Sequence, residues 1–188
     1  MTDTPKRETY RVEVAGLTRD LPLFEVAPGV RIAVLNILGD VELVQAAAEV
    51  LTPLLLERRP ETLLTAETKS IPLVHVLATM MDRPYVVLRK SYKPYMGAAL
   101  SAETHSITTG AVQTLYLDEK DIILLRDRRV ALVDDVISTG STLQALRTLA
   151  VKAEARIVAE AAIFTEGDNA RWQDIISLGH LPVFTTST

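Results

Sequence analysis

The sequence contains no cysteine. This absence excludes disulfide bonds, thiolate metal sites and cysteine nucleophiles, and it is typical of a reducing compartment, so we expect a cytoplasmic location. The first ten residues, MTDTPKRETY, lack the apolar segment of a secretory signal, and we expect no leader. No apolar run approaches the ~18 residues of a membrane-spanning helix, so we expect no membrane partner.

An excess of positive charge is also missing. The formal net charge is −4, which favours neither a nucleic acid nor an anionic membrane as a partner. The sequence shows no internal repeat, low-complexity tract or linker. With 188 residues, 48% of them hydrophobic, the length and composition predict a single domain over residues 1–188 with a substantial core.

Short apolar segments alternate with amphipathic ones along most of the chain. Such alternation predicts an α/β fold with a mostly parallel, twisted sheet flanked by helices. The predicted helices cover 41–58, 71–81, 141–153 and 171–178, and the predicted strands cover 62–66, 85–90, 111–117, 129–133, 155–164 and 182–184. Ligands bind such sheets outside the carboxyl ends of the strands, and the polar clusters described below follow predicted strands.

Two regions depart from this alternation. Residues 1–38 form a polar tail followed by short apolar stretches interrupted by proline and glycine, which predicts strands and turns. Residues 91–110, SYKPYMGAALSAETHSITTG, follow neither a helical nor a strand period. We predict a long flexible loop there, and loops of this length are commonly lids over a binding site.

One stretch, VALVDDVISTGSTLQAL at 130–146, has the features of a ligand site. A buried strand delivers Asp134 and Asp135 to its carboxyl end, and Gly140 permits a tight turn close to a ligand. The hydroxyl groups of residues 138–142 and the first N–H groups of the next helix suit a phosphate. The two carboxylates would repel that phosphate but can accept hydrogen bonds from sugar hydroxyls. A ligand with both groups is a ribose 5-phosphate.

Two other interpretations of this stretch are open. It could be an ordinary strand and turn in which Asp135 or Ser138 caps a helix. A phosphoacceptor receiver domain also ends a strand in paired acids, but those acids belong near the N-terminus of the domain, and STGST does not fit it. The G-x-x-x-x-G-K-[ST] pattern is absent, which argues against a P-loop nucleotidase.

The same stretch closely resembles the phosphoribosyl pyrophosphate (PRPP) motif of type I phosphoribosyltransferases. The resemblance extends over most of residues 28–185 and implies that family's fold, with a small hood at 1–38 and a flexible catalytic loop at 91–110. It implies that Asp134 and Asp135 hold the ribose hydroxyls and serve catalysis. The PRPP-binding stretch that it implies is Asp134, Asp135, Val136, Ile137, Ser138, Thr139, Gly140, Ser141 and Thr142.

Two further segments resemble the family's pyrophosphate-binding parts. In TLLTAETKSIPLV (62–74) the resemblance assigns Glu67, Thr68 and Lys69 to PRPP, with Lys69 and Ser70 standing where arginine and glycine are common. It also leads us to expect a non-proline cis peptide within 66–69. A surface ion pair between Glu67 and Lys69 is the alternative.

The segment VVLRKSYKPYMG (86–97) resembles the entry to the catalytic loop. It implies that Arg89 meets the pyrophosphate and that Lys90 and Lys93 act as electrostatic catalysts with Mg²⁺, which is held mainly through PRPP. A solvated basic turn is the alternative. Because this cluster is partly donated across a dimer interface in the family, the resemblance also implies a homodimer.

The base is the least defined part of the resemblance. The segments 21–43 and 163–183 are similar to parts of both adenine and xanthine phosphoribosyltransferases, and we assign Asn36, Phe164 and Glu166 to the base. Glu166 stands close to where the xanthine pattern has a lysine, and an acid suits an exocyclic amine better than a purine carbonyl. For Phe164, a place in the core is the alternative.

These observations together predict a purine phosphoribosyltransferase, with adenine favoured and xanthine next. Its ligands would be PRPP, a purine base, the nucleoside monophosphate and pyrophosphate. Two alternatives stay open: a non-catalytic PRPP-binding regulator of purine metabolism, and a phosphoribosyltransferase for another base such as orotate.

Overall fold

The computed structural model describes residues 7–105 and 112–185. Within these ranges three α-helices and eleven strands form the fold. The helices are α1 (Val41–Glu57), α2 (Ile71–Met81) and α3 (Ser141–Lys152). The strands are β1 (Thr9–Val14), β2 (Leu17–Ala27), β3 (Val30–Ala33), β4 (Thr62–Ala66), β5 (Tyr85–Leu88), β6 (Leu100–His105), β7 (Val112–Leu117), β8 (Arg129–Ile137), β9 (Arg156–Glu166), β10 (Ile176–Leu181) and β11 (Val183–Thr185).

The central sheet has five parallel strands in the order β10-β9-β8-β4-β5. Its two faces carry separate apolar cores, one formed with α1 and α2 and the other with α3. A parallel sheet covered on both faces explains why β4 reads as an uninterrupted buried run, TLLTA. The predicted α/β class with a mostly parallel sheet is confirmed.

Local sequence explains where the first helix begins. The Asp40 carboxylate accepts a hydrogen bond from the Leu43 N–H at 3.1 Å, so it caps the first turn of α1. Buried side chains then recur at helical spacing and cover the core face: Leu43, Val44, Ala47, Ala48, Leu51 and Leu55. The helix continues through Pro53 and ends at Glu57, one residue before the predicted end.

The hood is an antiparallel sheet in the order β1-β2-β3-β11. The predicted strands and turns within 1–38 supply three of its members. The fourth, β11, comes from the other end of the chain and pairs with β3 through Val183 and Ile32. Short-range sequence patterns predict a strand near 182–184 but carry no information about this partner.

Three predicted elements are corrected by the structure. The predicted helix at 171–178 is wrong: a short 3₁₀ helix at Asn169–Trp172 is followed by β10, which gains its backbone partners from β9. Within the predicted loop, 100–105 is the strand β6, paired antiparallel with β7, while 106–110 lie outside the described residues. The strand predicted to end at 133 runs on to Ile137. In each case pairing with another strand decides the outcome, which local periodicity does not report.

In the part of the chain that the structure describes, no helix is both long enough and apolar enough to cross a bilayer.

Candidate PRPP-binding site

The acid pair lies in the carboxyl-terminal half of β8. Asp134 is partly buried, and Asp135 is 8% exposed. Both side chains line a cavity of about 220 Å³ at the carboxyl edge of the sheet. Because β8 is flanked by β4 and β9, the loop after β4 and the end of β9 reach the same edge. The sheet topology thus brings the acids to the place where α/β proteins bind ligands.

Ser70 meets this pair directly. Its hydroxyl donates to Asp134 Oδ1 at 2.6 Å and lies 3.3 Å from Asp135 Oδ1. The Asp135 N–H also points at Asp134 Oδ1, at 2.9 Å. The sequence identifies Ser70 only as a departure from the family's usual glycine, and its partner, 64 positions further along the chain, is visible only in the fold.

The environment of Asp134 is unfavourable for its ionised form. Loss of solvent around the carboxyl group and the adjacent Asp135 charge raise the pKa of Asp134 to about 7, although the hydrogen bond from Ser70 opposes the rise. At neutral pH this group is therefore poised between its two protonation states. Perturbed carboxyl groups in a cleft are typical of functional sites.

A second, smaller cavity of about 40 Å³ adjoins the first and shares Asp134, Val136 and Thr142 with it. Its place at the start of α3, among hydroxyl side chains, suits a phosphate group. The predicted phosphate loop forms its wall, with Gly140 in the left-handed region at φ 81° and α3 beginning at the next residue. The predicted PRPP residues that line this cavity are Asp134, Val136, Ile137, Ser138, Thr139, Gly140, Ser141 and Thr142.

Trp172 supports the phosphate loop from outside. A Cβ atom placed on Gly140 would lie 2.7 Å from the Trp172 ring, so only glycine fits between ring and loop. The indole N–H donates to the Glu166 carbonyl at 3.0 Å, and the residue is 8% exposed. The predicted helix at 171–178 did not indicate this contact. In the structure Trp172 belongs to a 3₁₀ turn that places its ring against the loop.

This contact makes the single tryptophan of the chain a reporter of loop occupancy. We expect PRPP to change the intrinsic fluorescence of Trp172 in a saturable way, because a bound phosphate fixes the loop that touches the ring. A fluorescence titration excited at the indole band measures this. Ribose, which lacks the phosphate, is the control ligand, and an equal change with ribose would contradict the assignment of the loop to phosphate.

The loop after β4 forms the opposite wall of the larger cavity. The peptide bond between Glu67 and Thr68 is cis, which confirms the expectation of a cis peptide within 66–69. Glu67 is bonded to the Arg89 guanidinium at 2.7 Å and to the Lys90 N–H at 2.5 Å. Although burial opposes the shift, these two contacts hold the pKa of Glu67 below its ordinary value. The alternative interpretation, a surface ion pair of Glu67 with Lys69, does not match this arrangement, in which Glu67 pairs with Arg89.

Of the four cations assigned to pyrophosphate, two line the larger cavity and two do not. Lys69 and Lys90 line the 220 Å³ cavity, with the Lys69 ammonium 3.3 Å from the Leu35 carbonyl oxygen. Arg89 is engaged by Glu67. Neither Arg89 nor Lys93 belongs to the described lining of the two cavities. Lysine ammonium groups therefore supply the positive charge of the cavity wall.

The full lining of the larger cavity mixes predicted and unpredicted residues. The predicted members are Glu67, Thr68, Lys69, Lys90, Asp134, Asp135, Val136 and Thr142. The others are Ala66, Ser70, Gln113 and Leu115. Gln113 and Leu115 lie on β7, which sequence reasoning identified as a strand without connecting it to the site. No local sequence signal marks these two residues, because only the folded chain brings the antiparallel β6-β7 pair to the cavity.

The residues assigned to the base lie outside these linings. Asn36 is exposed, and its side-chain oxygen accepts the Leu38 N–H at 3.2 Å. Phe164 is 2% exposed and belongs to the core shared with α1 and α2, as its alternative interpretation predicts. Glu166 ends β9, where burial raises the pKa of its carboxyl group. Its position at the carboxyl edge of the sheet is compatible with a ligand contact.

Within the described residues, no group of three or more His, Cys, Asp or Glu side chains could hold a metal ion.

A larger cavity, of about 790 Å³, lies at the opposite, amino-terminal edge of the sheet. Two of its arginines, Arg83 and Arg129, are hydrogen-bonded to backbone carbonyls of the protein itself. Arg129 donates to the carbonyls of Arg58 and Arg59, and Arg83 to those of Pro60 and Asp82. They satisfy carbonyl groups near the ends of helices α1 and α2, so these two arginines have a structural role.

Comparison with known proteins agrees with the geometry. Residues 36–175 match the family model of the phosphoribosyl transferase domain. The purine biosynthesis transcriptional activator PurR of Lactococcus lactis is 26% identical over 155 residues, which are 82% of this chain and 55% of that protein. A hypoxanthine/guanine phosphoribosyltransferase of Methanotorris igneus is 33% identical over 111 residues, 59% of this chain and 57% of that protein.

Among solved structures, the adenine phosphoribosyltransferase of Thermoanaerobacter pseudethanolicus superimposes with a TM-score of 0.66 at 20% identity, covering 92% of this chain and 95% of that one. At this identity the likeness shows the fold alone. The chain spans about half the length of the curated relatives it matches.

Proposed function

Because the chain belongs to the phosphoribosyl transferase domain family, we propose that it transfers ribose 5-phosphate from PRPP to a purine base. The observation that carries this proposal is the adjoining pair of cavities. One suits a phosphate, the other is lined by the acid pair, Glu67 and two lysines, and Asp134 belongs to both. A ligand with a phosphate at one end, a diol in the middle and a pyrophosphate at the other matches this order of groups.

The reaction follows from what each wall can hold. The phosphate loop binds the 5-phosphate, and the acid pair accepts hydrogen bonds from the ribose hydroxyls. A nitrogen of the base forms the new bond to C1 while the bond from C1 to pyrophosphate oxygen breaks, and the proton of the base nitrogen passes to water. Lys69 and Lys90 stabilise the negative charge that grows on the pyrophosphate. Mg²⁺, bound through PRPP, would neutralise the same leaving group.

Adenine is the base we propose first. Glu166 reaches the carboxyl edge of the sheet, and a carboxyl oxygen can accept from an exocyclic amine. Xanthine is the next candidate, and the relative from Methanotorris igneus makes hypoxanthine and guanine necessary members of the test. A homodimer and a cytoplasmic location belong to the same proposal.

A second function is favoured by one finding. The relative that matches 82% of this chain is named as a transcriptional activator of purine biosynthesis. A protein with this role could use the same two cavities to bind PRPP without turnover. We therefore keep a PRPP-binding regulator as the second candidate.

Pyrophosphate release separates the two candidates. We expect release from PRPP and Mg²⁺ in the presence of one purine, with adenine giving the highest rate. The assay compares adenine, hypoxanthine, guanine, xanthine, orotate and uracil, and a reaction without base is the control. PRPP binding without release for any base would overturn the enzymatic proposal in favour of the regulator, and release with orotate alone would overturn the purine assignment.

A further inference from the structure

Ser70 stands at the position where a serine usually caps a helix. It immediately precedes α2, and serine at this position commonly accepts a hydrogen bond from the first turn. Here the Ser70 side chain makes no hydrogen bond to the first turn of α2, all of which lies in the described part of the chain. The hydroxyl is directed at the acid pair instead, and the residue is 2% exposed. Its hydrogen-bonding capacity is thus used by the site and not by the helix.

The contacts around this hydroxyl form a closed set. Ser70 donates to Asp134 Oδ1 at 2.6 Å and accepts the Asp135 N–H at 3.2 Å. Asp134 Oδ1 receives a second donor, the Asp135 N–H, at 2.9 Å. A hydroxyl has one proton to give, and the shorter contact shows that Asp134 receives it. The second oxygen of the Asp134 carboxylate takes no part in these bonds.

We propose that Ser70 is a positioning residue that holds one oxygen of Asp134 and keeps this carboxylate ready to accept a ribose hydroxyl at neutral pH. This inference rests on the proposed binding of PRPP. A hydrogen bond donated to a carboxylate stabilises its charged form, and a neighbouring carboxylate destabilises it. Ser70 therefore offsets the cost of placing two acids side by side. Glycine, the residue common in the family at this position, has no hydroxyl to offer.

Other charged groups face the same cavity and bear on the titration of Asp134. They are Glu67 and Lys69 from the loop after β4, Lys90 after β5, and Asp135 from β8 itself. The remaining polar members, Gln113 on β7 and Thr142 on α3, are uncharged. A substitution at position 70 leaves all these groups in place. A difference in the titration of Asp134 between wild type and variant is therefore caused by the loss of the hydroxyl.

The decisive variant is Ser70→Ala, compared with wild type by calorimetric titration of PRPP from pH 6 to pH 9. Losing a hydrogen bond to a charged group predicts about tenfold weaker binding at pH 6.5. The difference in affinity should shrink above pH 8, where Asp134 is ionised in both proteins. The pH below which binding weakens should therefore be higher in the variant than in wild type. Protonation of PRPP itself affects both proteins equally, so it does not contribute to the difference between their binding profiles. Superimposable profiles, or a loss equal at every pH, would overturn the proposal.

Two further variants define the cause. Ser70→Thr keeps the hydroxyl and should keep the wild-type midpoint. Thr79→Ala removes a hydroxyl from the same helix, one bonded to the His75 carbonyl on the exposed side, and should change nothing. Ser70→Gly removes the hydroxyl together with the carbon that carries it, and it replaces Ser70→Ala in this titration and in the NMR measurement below should that variant fail to fold.

A measurement without ligand separates this inference from the proposed function. The ¹³C resonance of the Asp134 carboxyl carbon, followed by NMR against pH, should show a higher midpoint in Ser70→Ala than in wild type. An unchanged midpoint would overturn the positioning role even if PRPP binds. A shifted midpoint together with no pyrophosphate release would leave the role of Ser70 intact and overturn the enzymatic function alone. Wild-type protein that binds no PRPP at any pH would overturn the ligand assignment in both proposals.

Discussion

Replacing Asp135 by asparagine should weaken PRPP binding by about 10- to 100-fold at pH 8, the range expected for a lost hydrogen bond to a charged group. The Asp135 side chain is 8% exposed and lies in the cavity that we assign to ribose. Asparagine has nearly the same shape but lacks the charge. Its amide group would also place a hydrogen-bond donor opposite a sugar hydroxyl that is itself a donor. The loss should appear in the dissociation constant by calorimetry and in pyrophosphate release.

Asp118→Asn is the matched control for this prediction. Asp118 is also 8% exposed, its carboxylate accepts the Lys120 N–H at 3.1 Å, and it lies outside the described lining of both cavities. An amide oxygen can accept the same bond, so we expect unchanged PRPP binding. Thermal unfolding of both variants checks that the fold is intact. Binding by Asp135→Asn within about threefold of wild type would refute the assignment of the acid pair to the diol.

For Asp134, the other member of the acid pair, we predict an effect on stability as well as on PRPP binding. Its pKa in the folded protein is raised to about 7, so the folded state binds the proton more tightly than the unfolded chain. The stabilisation is fully present below the ordinary pKa of an aspartate and is lost as the pH rises through 7. Asp134→Asn removes this loss, and we expect it to raise the unfolding temperature at pH 8 relative to wild type while reducing PRPP binding. An unchanged or lower unfolding temperature at pH 8 would contradict the raised pKa.

The parts of this site that could be predicted are those written into one continuous stretch. The acid pair, Gly140 and the following helix are neighbours in sequence, and each needs only its neighbours to reach its place. The strand β4 and helix α2 were predicted with their observed bounds, because a buried run followed by a proline-started helix is a local signal. The order of strands in the sheet then brings two such local units to one edge.

The parts that escaped prediction depend on contacts between distant segments. β10 reads as helical until β9 offers it a strand partner, and β11 joins the hood across almost the whole chain. Trp172 and Ser70 lack any local mark of function, since one acts on a loop 32 positions earlier and the other on acids 64 positions later. Gln113 and Leu115, which line the cavity from β7, escaped prediction for the same reason.

Gly140→Ala should weaken PRPP binding by about 100-fold or more, the loss expected when several hydrogen bonds to one phosphate are misaligned. At φ 81° an alanine is strained, and its Cβ would lie 2.7 Å from the Trp172 ring. The ring is anchored by its bond to the Glu166 carbonyl, so the loop has to move instead. Calorimetric titration of PRPP measures the loss, since the fluorescence of Trp172 is itself affected by the substitution.

Gly16→Ala separates the two causes of this effect. Gly16, in the turn between β1 and β2, has a similar φ of 76°, and no atom lies within 4 Å of the added Cβ. It carries the backbone strain alone, so we expect some loss of thermal stability and unchanged PRPP binding. In the double variant Gly140→Ala with Trp172→Leu, the smaller side chain removes the clash and should recover part of the affinity. No recovery there would assign the whole effect to the backbone of the loop and refute a role for Trp172 in shaping the phosphate site.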